Sequence, residues 1–423
     1  DLADAINTNA DAEPTEGSTN TVQSGGVYDA LALIPVAKSS FTFFIASNDA
    51  SQETKDVADF VCDGSNDEIV INNAISQLPD VYDTGKRGGS ILFSEGNFYF
   101  EDPVQVTELM QITLQGMGNS TMFWMTNEAV PSSTLKPIIS IEHASFSSEI
   151  WDKTMIKDIF FISQSQVNAV GVKCNLLHYV FVEGCIFKGN KMTGVHFTDV
   201  NNGSITNNLF TDVLTGVKGV SDVKDIEDVI ISNNHFTAAR GEAIYLTATE
   251  ITGAKGISRN ILSNNIIEEC NKLDSGVATI YIEKGQNLNI SNNIISESGG
   301  SIDIHLKDCE EYVSVFDNNI TEAVTGVFSE NCSGLEIRFN HIDASVNGLD
   351  IDSNSNALMI GNNSSVQNNG TGDLIEFNNN GINVSGGDIE VKDIGDGVVV
   401  KSPNGTRFRI SVDNSGALSA TTV

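Results

Sequence analysis

Basic residues are scarce in this chain. Lys and Arg total 23 against 56 Asp and Glu, a formal net charge of −33 over 423 residues. So acidic a surface repels phosphate backbones, which argues against nucleic acid or an anionic membrane as a partner. It also weighs against a polyanionic polysaccharide, unless Ca²⁺ or a local basic cleft intervenes. No motif requires a cofactor, and Ca²⁺ enters only in that conditional role. Cys-x-x-Cys and His-rich spacings are missing, so the six cysteines (62, 174, 185, 270, 309 and 332) do not suit a zinc site. They are expected as mostly reduced thiols of a protein made in a reducing cytosol. No segment is apolar enough to span a bilayer, and no signal peptide is visible. The chain begins at Asp1 without Met, which fits a fragment, a processed form or the ordered part of something longer. Aromatic content is low, at 7 %, and Gly, Asn, Ser and Thr abound, as in a polar-coated β structure.

What is present is a recurring phrase: an apolar residue, two positions, usually Asn, one position, then usually an apolar residue. It reads Ile205-Thr-Asn-Asn208-Leu-Phe210, Ile231-Ser-Asn-Asn234-His-Phe236, Leu262-Ser-Asn-Asn265-Ile-Ile267 and Ile290-Ser-Asn-Asn293-Ile-Ile295. Later copies centre on Asn319, Asn340 and Asn363, and two earlier ones on Ile159 and Cys185. Successive centres are 26, 23, 26, 31, 28, 26, 21 and 23 residues apart, the period of a solenoid.

Each copy alternates at period two, which suits a strand. One unit cannot bury its apolar face alone, but units stacked about 4.8 Å apart can. Register then predicts an inner aliphatic column through Ile156, Val182, Ile205, Ile231, Leu262, Ile290, Phe316, Ile337 and Ile360. A second inner column takes Phe161, Phe187, Phe210, Phe236, Ile267 and Ile295. Asn at the centres can bond to its copies above and below and tolerates the left-handed backbone of a sharp corner. With apolar residues at inward spacing beside it, it is expected as an internal corner ladder rather than a polar binding track. Another strand follows about ten residues later, as in Gly194-Val-His196-Phe and Thr279-Ile-Tyr281-Ile. The pattern predicts an all-β, right-handed parallel β-helix, with the hand taken from the rule for parallel crossovers.

The ends differ from the middle. Residues 1–38 read as an attachment or linker segment with short helices over 1–6 and 26–33. Residues 39–372 read as the β-helix with its N-terminal cap. The cap is an amphipathic helix over 67–78 whose Ile71, Ala74, Ile75 and Leu78 share a face, with Asn66 or Asp67 as N-cap and Pro79 as its stop. Residues 373–423 lose the repeat and read as a β-rich cap or trimerising tip, with strands near Val384, Ile389, Val391, Val398–Val400 and Phe408–Val412.

The stretch Ala58-Asp-Phe-Val-Cys-Asp-Gly-Ser-Asn-Asp-Glu-Ile-Val-Ile-Asn-Asn-Ala-Ile75, with Gly-Gly-Ser-Ile-Leu-Phe and Ile112-Thr-Leu-Gln-Gly-Met-Gly118 after it, resembles the start of pectate-lyase-like β-helices. Within that superfamily the chain looks most like bacteriophage and prophage tail spikes and tail fibres. Asn20-Thr-Val-Gln-Ser-Gly-Gly-Val-Tyr-Asp-Ala-Leu31 and the segment 401–420 are similar to tail-protein ends. The resemblance implies a homotrimer, attachment to other tail or baseplate proteins, and recognition of a bacterial surface glycan or other receptor. It implies a place on a virion tail or phage-tail-like particle, assembled in the bacterial cytoplasm and acting outside the cell.

The third-strand register gives an outward line of His196, Lys218, Tyr245, Tyr281, His305, Phe328 and Asp350. Two residues on run Thr198, Thr247, Glu283, Lys307, Glu330 and Asp352. The two longest repeats place extra loops, near 248–257 and 268–275, beside Tyr245 and Tyr281, and insertions on one solenoid face often build its binding surface. Tyr245 and Tyr281 as an exposed pair for sugar stacking, with Glu283, His305 and Lys307 as hydroxyl partners, form the candidate ligand site. The opposing reading buries the tyrosines under a loop or a neighbouring subunit. For hydrolysis, Glu283 would meet Glu242 or Asp303 across about 5–10 Å. For a lyase, His305, Lys307 or Arg259 would serve, though no lyase motif is recognisable. Adhesion, depolymerisation and a purely structural tail role all remain open at this level, with adhesion favoured.

Overall fold

In a computed structural model of the chain, the described residues are 10–11, 21–22, 42–80, 87–107, 109–126, 135–143, 153–164, 168–249, 256–271, 278–299, 302–352, 355, 359–361, 365–368, 375–377, 398–402, 406–412, 416 and 418–422. Contacts divide the chain into Asp1–Asn379 and Asn380–Val423.

The first unit is a right-handed parallel β-helix. Each coil lays one strand on each of three sheets. In the middle coils the first sheet pairs Ile205 with Ile231 and Ile231 with Leu262. The second pairs Phe210 with Phe236 and Phe236 with Ile267. The third pairs Val217 with Ile244 and Ile244 with Ile280. Both predicted inner columns lie at or near zero exposure through these coils, because period-two alternation sends every second side chain inward.

Two neighbouring Asn residues share the corner between the first and second sheets. The first of each pair takes the left-handed conformation: φ is 59° at Asn207, 56° at Asn233, 57° at Asn264 and 56° at Asn292. The second turns inward and builds the ladder. Asn234 Oδ1 accepts from the backbone N–H of Asn208 at 3.0 Å and from Asn208 Nδ2 at 3.0 Å. Asn234 Nδ2 donates to Ile205 O at 2.8 Å and to Asn265 Oδ1 at 3.1 Å. The same set recurs at Asn265, Asn293 and Asn318, so each buried amide is satisfied by its neighbours. The two properties of Asn that pointed to a corner are thus split between two positions.

One copy is shifted by a residue. The ladder continues through Asn318, at 2 % exposure, while Asn319 faces out, and Val315 rather than Phe316 pairs with Ile290 and Ile337. The phrase Phe316-Asp-Asn-Asn319 offers two adjacent Asn in either register; the inward demand for a small aliphatic at 315 decides between them. Asn363 lies outside the described residues.

The phenylalanine column stacks face to face. Centroids of Phe161, Phe187, Phe210 and Phe236 are 4.9, 4.9 and 4.7 Å apart, with interplanar angles of 8° or less. Opposite them the third sheet carries a column of small residues: Gly171, Gly194, Gly216, Ala243, Thr279 and Asp303. A methyl group on Gly171, Gly194 or Gly216 would lie 2.5–2.6 Å from the ring of Phe187, Phe210 or Phe236. Side chains return, as Ala243, Thr279 and Asp303, in the next three coils, where the facing column is isoleucine; glycine then recurs at Gly326, where a methyl group would lie 2.4 Å from Ile342 Cγ2.

Helix α1 (Gln52–Val57) buries no residue. Helix α2 (Glu68–Ser76) closes the N-terminal end of the stack, with Ile71, Ala74, Ile75 and the following Leu78 joining the main core. Asp67 is its N-cap but makes no capping bond. Its carboxylate instead accepts from the N–H groups of Gly64 at 3.0 Å and Tyr99 at 2.8 Å, tying the helix to the strand Gly96–Phe100. The predicted helices over 1–6 and 26–33 lie outside the described residues, as do Val384, Ile389 and Val391. Ala10–Asp11 and Thr21–Val22 form a short parallel pair. In the second unit, Val398–Lys401, Arg407–Val412 and Leu418–Thr422 form an antiparallel sheet. All six cysteines are buried and none is in a disulfide.

Candidate functional site

The third sheet presents the outward line in the expected register. His196 pairs with Lys218, Lys218 with Tyr245, Tyr245 with Tyr281, Tyr281 with His305, His305 with Phe328 and Phe328 with Asp350. Because the strands are parallel and in register, side chains one coil apart are forced into contact. Tyr245 and Tyr281 stack with centroids 5.1 Å apart and rings inclined by 13°. Lys218 Nζ covers the other side of Tyr245, 5.5 Å from its centroid. His305 meets Tyr281 at 5.1 Å and 85°, and Phe328 meets His305 at 4.7 Å and 43°. The result is a continuous cation–aromatic ladder over five coils.

This alters the expected use of the tyrosines. They are half-buried rather than exposed, and each ring face is taken by a neighbour on the ladder. A sugar cannot slip between them as it would onto an isolated ring; it would meet ring edges and hydroxyls. Burial, with Glu283 nearby, holds the Tyr281 hydroxyl well above the usual phenol range, and burial with Glu242 and Glu283 raises that of Tyr245. Both therefore remain protonated donors.

The polar partners flank the ladder. Glu283 Oε2 accepts from Thr247 Oγ1 at 2.7 Å. Glu330 lies 3.3 Å from His305 Nε2 and 3.6 Å from Lys307 Nζ. The His305 pair is close but not aligned as a hydrogen bond, and Nε2 has no other partner. Burial holds the His305 imidazole below its usual range, outweighing the attraction of Glu330. His196, at the start of the line, is pushed down to about 4 by burial and by Lys218 and Lys173 on either side, so it is neutral near pH 7.

Two expected carboxylate pairs do not form. Asp303 is not a surface residue: it is fully buried, in the column facing the isoleucines, on the opposite side of the sheet from Glu283. Its Oδ1 accepts from Thr279 Oγ1 at 3.3 Å and from Ser298 Oγ, while Oδ2 has no partner. Burial pushes this carboxyl up to about 7. Period-two counting sets it one step before an inward residue, but Asp303 and Ile304 are both buried, two consecutive residues facing in. The signal was present in the sequence as the aligned small residues Gly194, Gly216, Ala243 and Thr279. Glu242 sits beside Tyr245 but at the far end of the strand from Glu283. Their backbone positions are five residues apart in register, roughly 16 Å, too far for a hydrolytic pair. Glu242 engages Thr215 in the preceding coil at 3.3 Å instead. Arg259 is taken up by Glu227 and Asp228, both at 2.9 Å, away from the ladder.

Glu330 belongs to the same outward line, in register with Lys307. It stands two coils from Glu283 with Lys307 between them, so these carboxylates are about 10 Å apart along the stack. Residues 250–255 and 272–277, the bulk of both long loops, lie outside the described residues. Among the described residues no His, Cys, Asp and Glu cluster could hold a metal ion, and no helix is long and apolar enough to cross a membrane. An open groove of about 520 Å³ lies elsewhere, between α2 and residues 101–105, lined by Glu68, Ile69, Asn72 and Glu101 among others.

Residues 156–265 match the right handed beta helix region family. No curated protein matches the chain. Similar solved structures include the catalytic unit of a GH87 alpha-1,3-glucanase from Streptomyces thermodiastaticus strain HF3-3, at 13 % identity over 76 % of this chain and 67 % of that one, with a TM-score of 0.45. The A-module of mannuronan C-5 epimerase AlgE6 from Azotobacter vinelandii is 12 % identical over 74 % of this chain and 95 % of that one, TM-score 0.40. The surface adhesin PfbA of Streptococcus pneumoniae is 14 % identical over 85 % and 98 %, TM-score 0.34. The likeness is one of fold.

Proposed function

We propose that this protein is an adhesive tail fibre or tail spike component of a phage or phage-tail-like particle, whose third-sheet flank recognises a glycan or other receptor on a bacterial surface. The observation that carries the reading is the rigid ladder of Lys218, Tyr245, Tyr281, His305 and Phe328, edged by Glu283, Lys307 and Glu330. Such a surface offers ring edges, phenol donors and carboxylate acceptors at fixed spacing along one line, which suits the repeating hydroxyls of an extended saccharide. The particle assignment rests on the resemblance of three separate segments to tail proteins, and with it come assembly as a homotrimer and attachment to other tail or baseplate proteins. Six buried thiols suit folding in a reducing cytoplasm before release.

The test is binding of the full chain to purified host-surface glycan. Tyr281→Ala is expected to weaken binding at least tenfold, since it removes the central rung. Unchanged affinity in that variant and in Tyr245→Ala would move the receptor site off this face.

A second reading, a polysaccharide depolymerase, is favoured by one observation. Glu283 and Glu330 stand near the upper end of the carboxylate spacing of inverting hydrolases, roughly 6.5–9.5 Å. New reducing ends or unsaturated sugars on incubation with the glycan, lost in both Glu283→Gln and Glu330→Gln, would replace adhesion alone with this reading.

A further inference from the structure

The corner that ends the third sheet repeats in three successive coils. Lys284, Asp308 and Asn331 make the turn in the left-handed conformation, with φ of 59°, 50° and 54°. The residue after each is buried: Gly285, Cys309 and Cys332. Glu310 N–H donates to Gly285 O and Ser333 N–H to Cys309 O, both at 2.8 Å, so the three stand in register. The sulfurs repeat as well. Cys309 Sγ lies 3.7 Å from Ile282 O and 3.4 Å from Lys307 O, and Cys332 Sγ lies 3.4 Å from both Leu306 O and Glu330 O. Ile282 and Leu306 are themselves paired, so the two thiols hold the same pose one coil apart. A Cβ at Gly285 would lie 3.2 Å from Cys309 Sγ, so the glycine leaves that sulfur its space. By contrast, Cys174 pairs with Ile141 and Phe197, and Cys185 joins the Asn208 ladder.

We propose that Cys309 and Cys332 form an intramolecular disulfide when the folded chain meets a small-molecule disulfide, tying the coil of His305 and Lys307 to that of Phe328 and Glu330. In-register backbones one coil apart are separated by about 4.8 Å, inside the window of about 4.4–6.8 Å that a disulfide spans between Cα atoms. The Cβ atoms must approach to roughly 3.8 Å, slightly nearer than the coil spacing, so the bond carries some strain and stays open to reduction. A hydrogen bond from the Cys309 thiol favours the thiolate of Cys332 and lowers its pKa, which makes Cys332 the attacking sulfur. Its thiolate displaces one thiolate from the small disulfide and becomes a mixed disulfide. Cys309 then gives up its proton, attacks the Cys332 sulfur and expels the second thiolate. Two protein thiols are oxidised, and one small disulfide is reduced to two thiols.

Both sulfurs are buried, with the cysteines at 0 % and 1 % exposure, so the reaction needs the corner to open. The chain next to Cys309 is suited to that. Among the described residues, Glu311 and Tyr312 are the only adjacent non-glycine residues that both have positive φ, at 52° and 57°, and Tyr312 is 78 % exposed. A backbone held in this conformation with so little side-chain packing opens at low cost. The proposal is independent of the glycan reading, since it uses only the chain's own thiols.

The test is thiol mapping of the full chain. The reduced, folded protein is incubated with oxidised glutathione, denatured, alkylated and digested. Two of the six thiols are expected to be lost, with the peptides of Cys309 and Cys332 joined in one species lighter by two hydrogens. Closing residues 310–331 into a loop is expected to raise the folded-to-unfolded ratio at a given urea concentration by roughly tenfold or more, and a dithiol reductant to reverse this. Cys174→Ala is expected to behave like the parent, whereas Cys309→Ala and Cys332→Ala form no protein disulfide. If either of those two fails to fold, the peptide map of the parent decides alone. A second arm refolds the parent from urea in a glutathione redox buffer, which removes the barrier of access. Absence of the 309–332 bond in both arms would overturn the proposal. So would bonds from either residue to another cysteine or to a second chain in place of it.

Discussion

Gly216 has no room for a methyl group. Its Cβ would lie 2.5 Å from Cδ1 and Cε1 of Phe236 and 2.6 Å from the carbonyl oxygen of Ala243. Neither obstacle is a flexible side-chain tip: the ring is fixed in a stack and the carbonyl is in a paired strand. Overpacking of this kind costs about 1–3 kcal/mol, so Gly216→Ala is expected to destabilise by about 2–3 kcal/mol. Phe236→Ile removes the ring and one 4.7 Å stacking contact, at a cost of about 1–3 kcal/mol. The next coil already contains the combination of both changes, Ala243 facing Ile267. In the double variant the new methyl no longer meets a ring, whereas the contact with the Ala243 carbonyl persists and cancels from the cycle. The double substitution is therefore expected to cost about 1–2 kcal/mol less than the sum of the singles. Urea unfolding followed by intrinsic fluorescence provides the midpoints, and unchanged slopes are needed to convert them into free energies. Repetition at Gly194 and Phe210, where the Cβ-to-ring distance is also 2.5 Å, guards against a local accident. Additivity within about 0.5 kcal/mol at both sites would refute the idea that the glycine column exists to accommodate the rings.

Three further outcomes are expected. Asn265→Ala leaves the backbone N–H and one amide proton of Asn234 and the carbonyl of Ile231 without their partners; at about 1–3 kcal/mol per orphaned group, a loss of 3–5 kcal/mol should appear, with faster hydrogen exchange at Asn234. Cys185→Asn should do the reverse: the thiol already sits 3.8 Å from Ile156 O below the Asn208 ladder, and an amide there gains about 1 kcal/mol, so a lower urea midpoint would count against the ladder as described. Asp303, raised to about 7 in the folded state from 3.8, holds more protons folded than unfolded between those values. Stability should accordingly fall as pH rises from about 4 to 7, by about 3–4 kcal/mol, and Asp303→Asn should abolish that component; parallel pH profiles for the two proteins would show the carboxyl is not held this way.

Much of the scaffold was legible because a stacked coil repeats its demands. Ile205, Ile231, Leu262 and Ile290 answer the same inward position, so their spacing gave the register, and the register gave the outward line from His196 to Asp350. The functional face was legible only as a list of neighbours. That Tyr245 and Tyr281 cover one another, and that Lys218 closes the far side, depends on ring orientation, which no spacing encodes. The placement of Asp303 has a similar origin: strict alternation sends only one of two neighbours inward, whereas Asp303 and Ile304 are both buried at the start of their strand. At Asn318 the sequence offered two equivalent asparagines, and packing at Val315 chose between them.

Sequence alone determined the solenoid, its period, its inner columns through the middle coils and the outward order of the third-sheet residues, because each follows from a one-dimensional pattern of inward and outward positions. Tertiary structure decided the rest. It determined which member of each Asn pair turns the corner and which bonds along the stack. It also determined that Asp303 belongs to the core and that Glu283 finds Glu330 rather than Glu242 as its nearest candidate carboxylate. Those features join residues from different coils or different sheets, and their distances are set by side-chain packing in three dimensions rather than by separation along the chain.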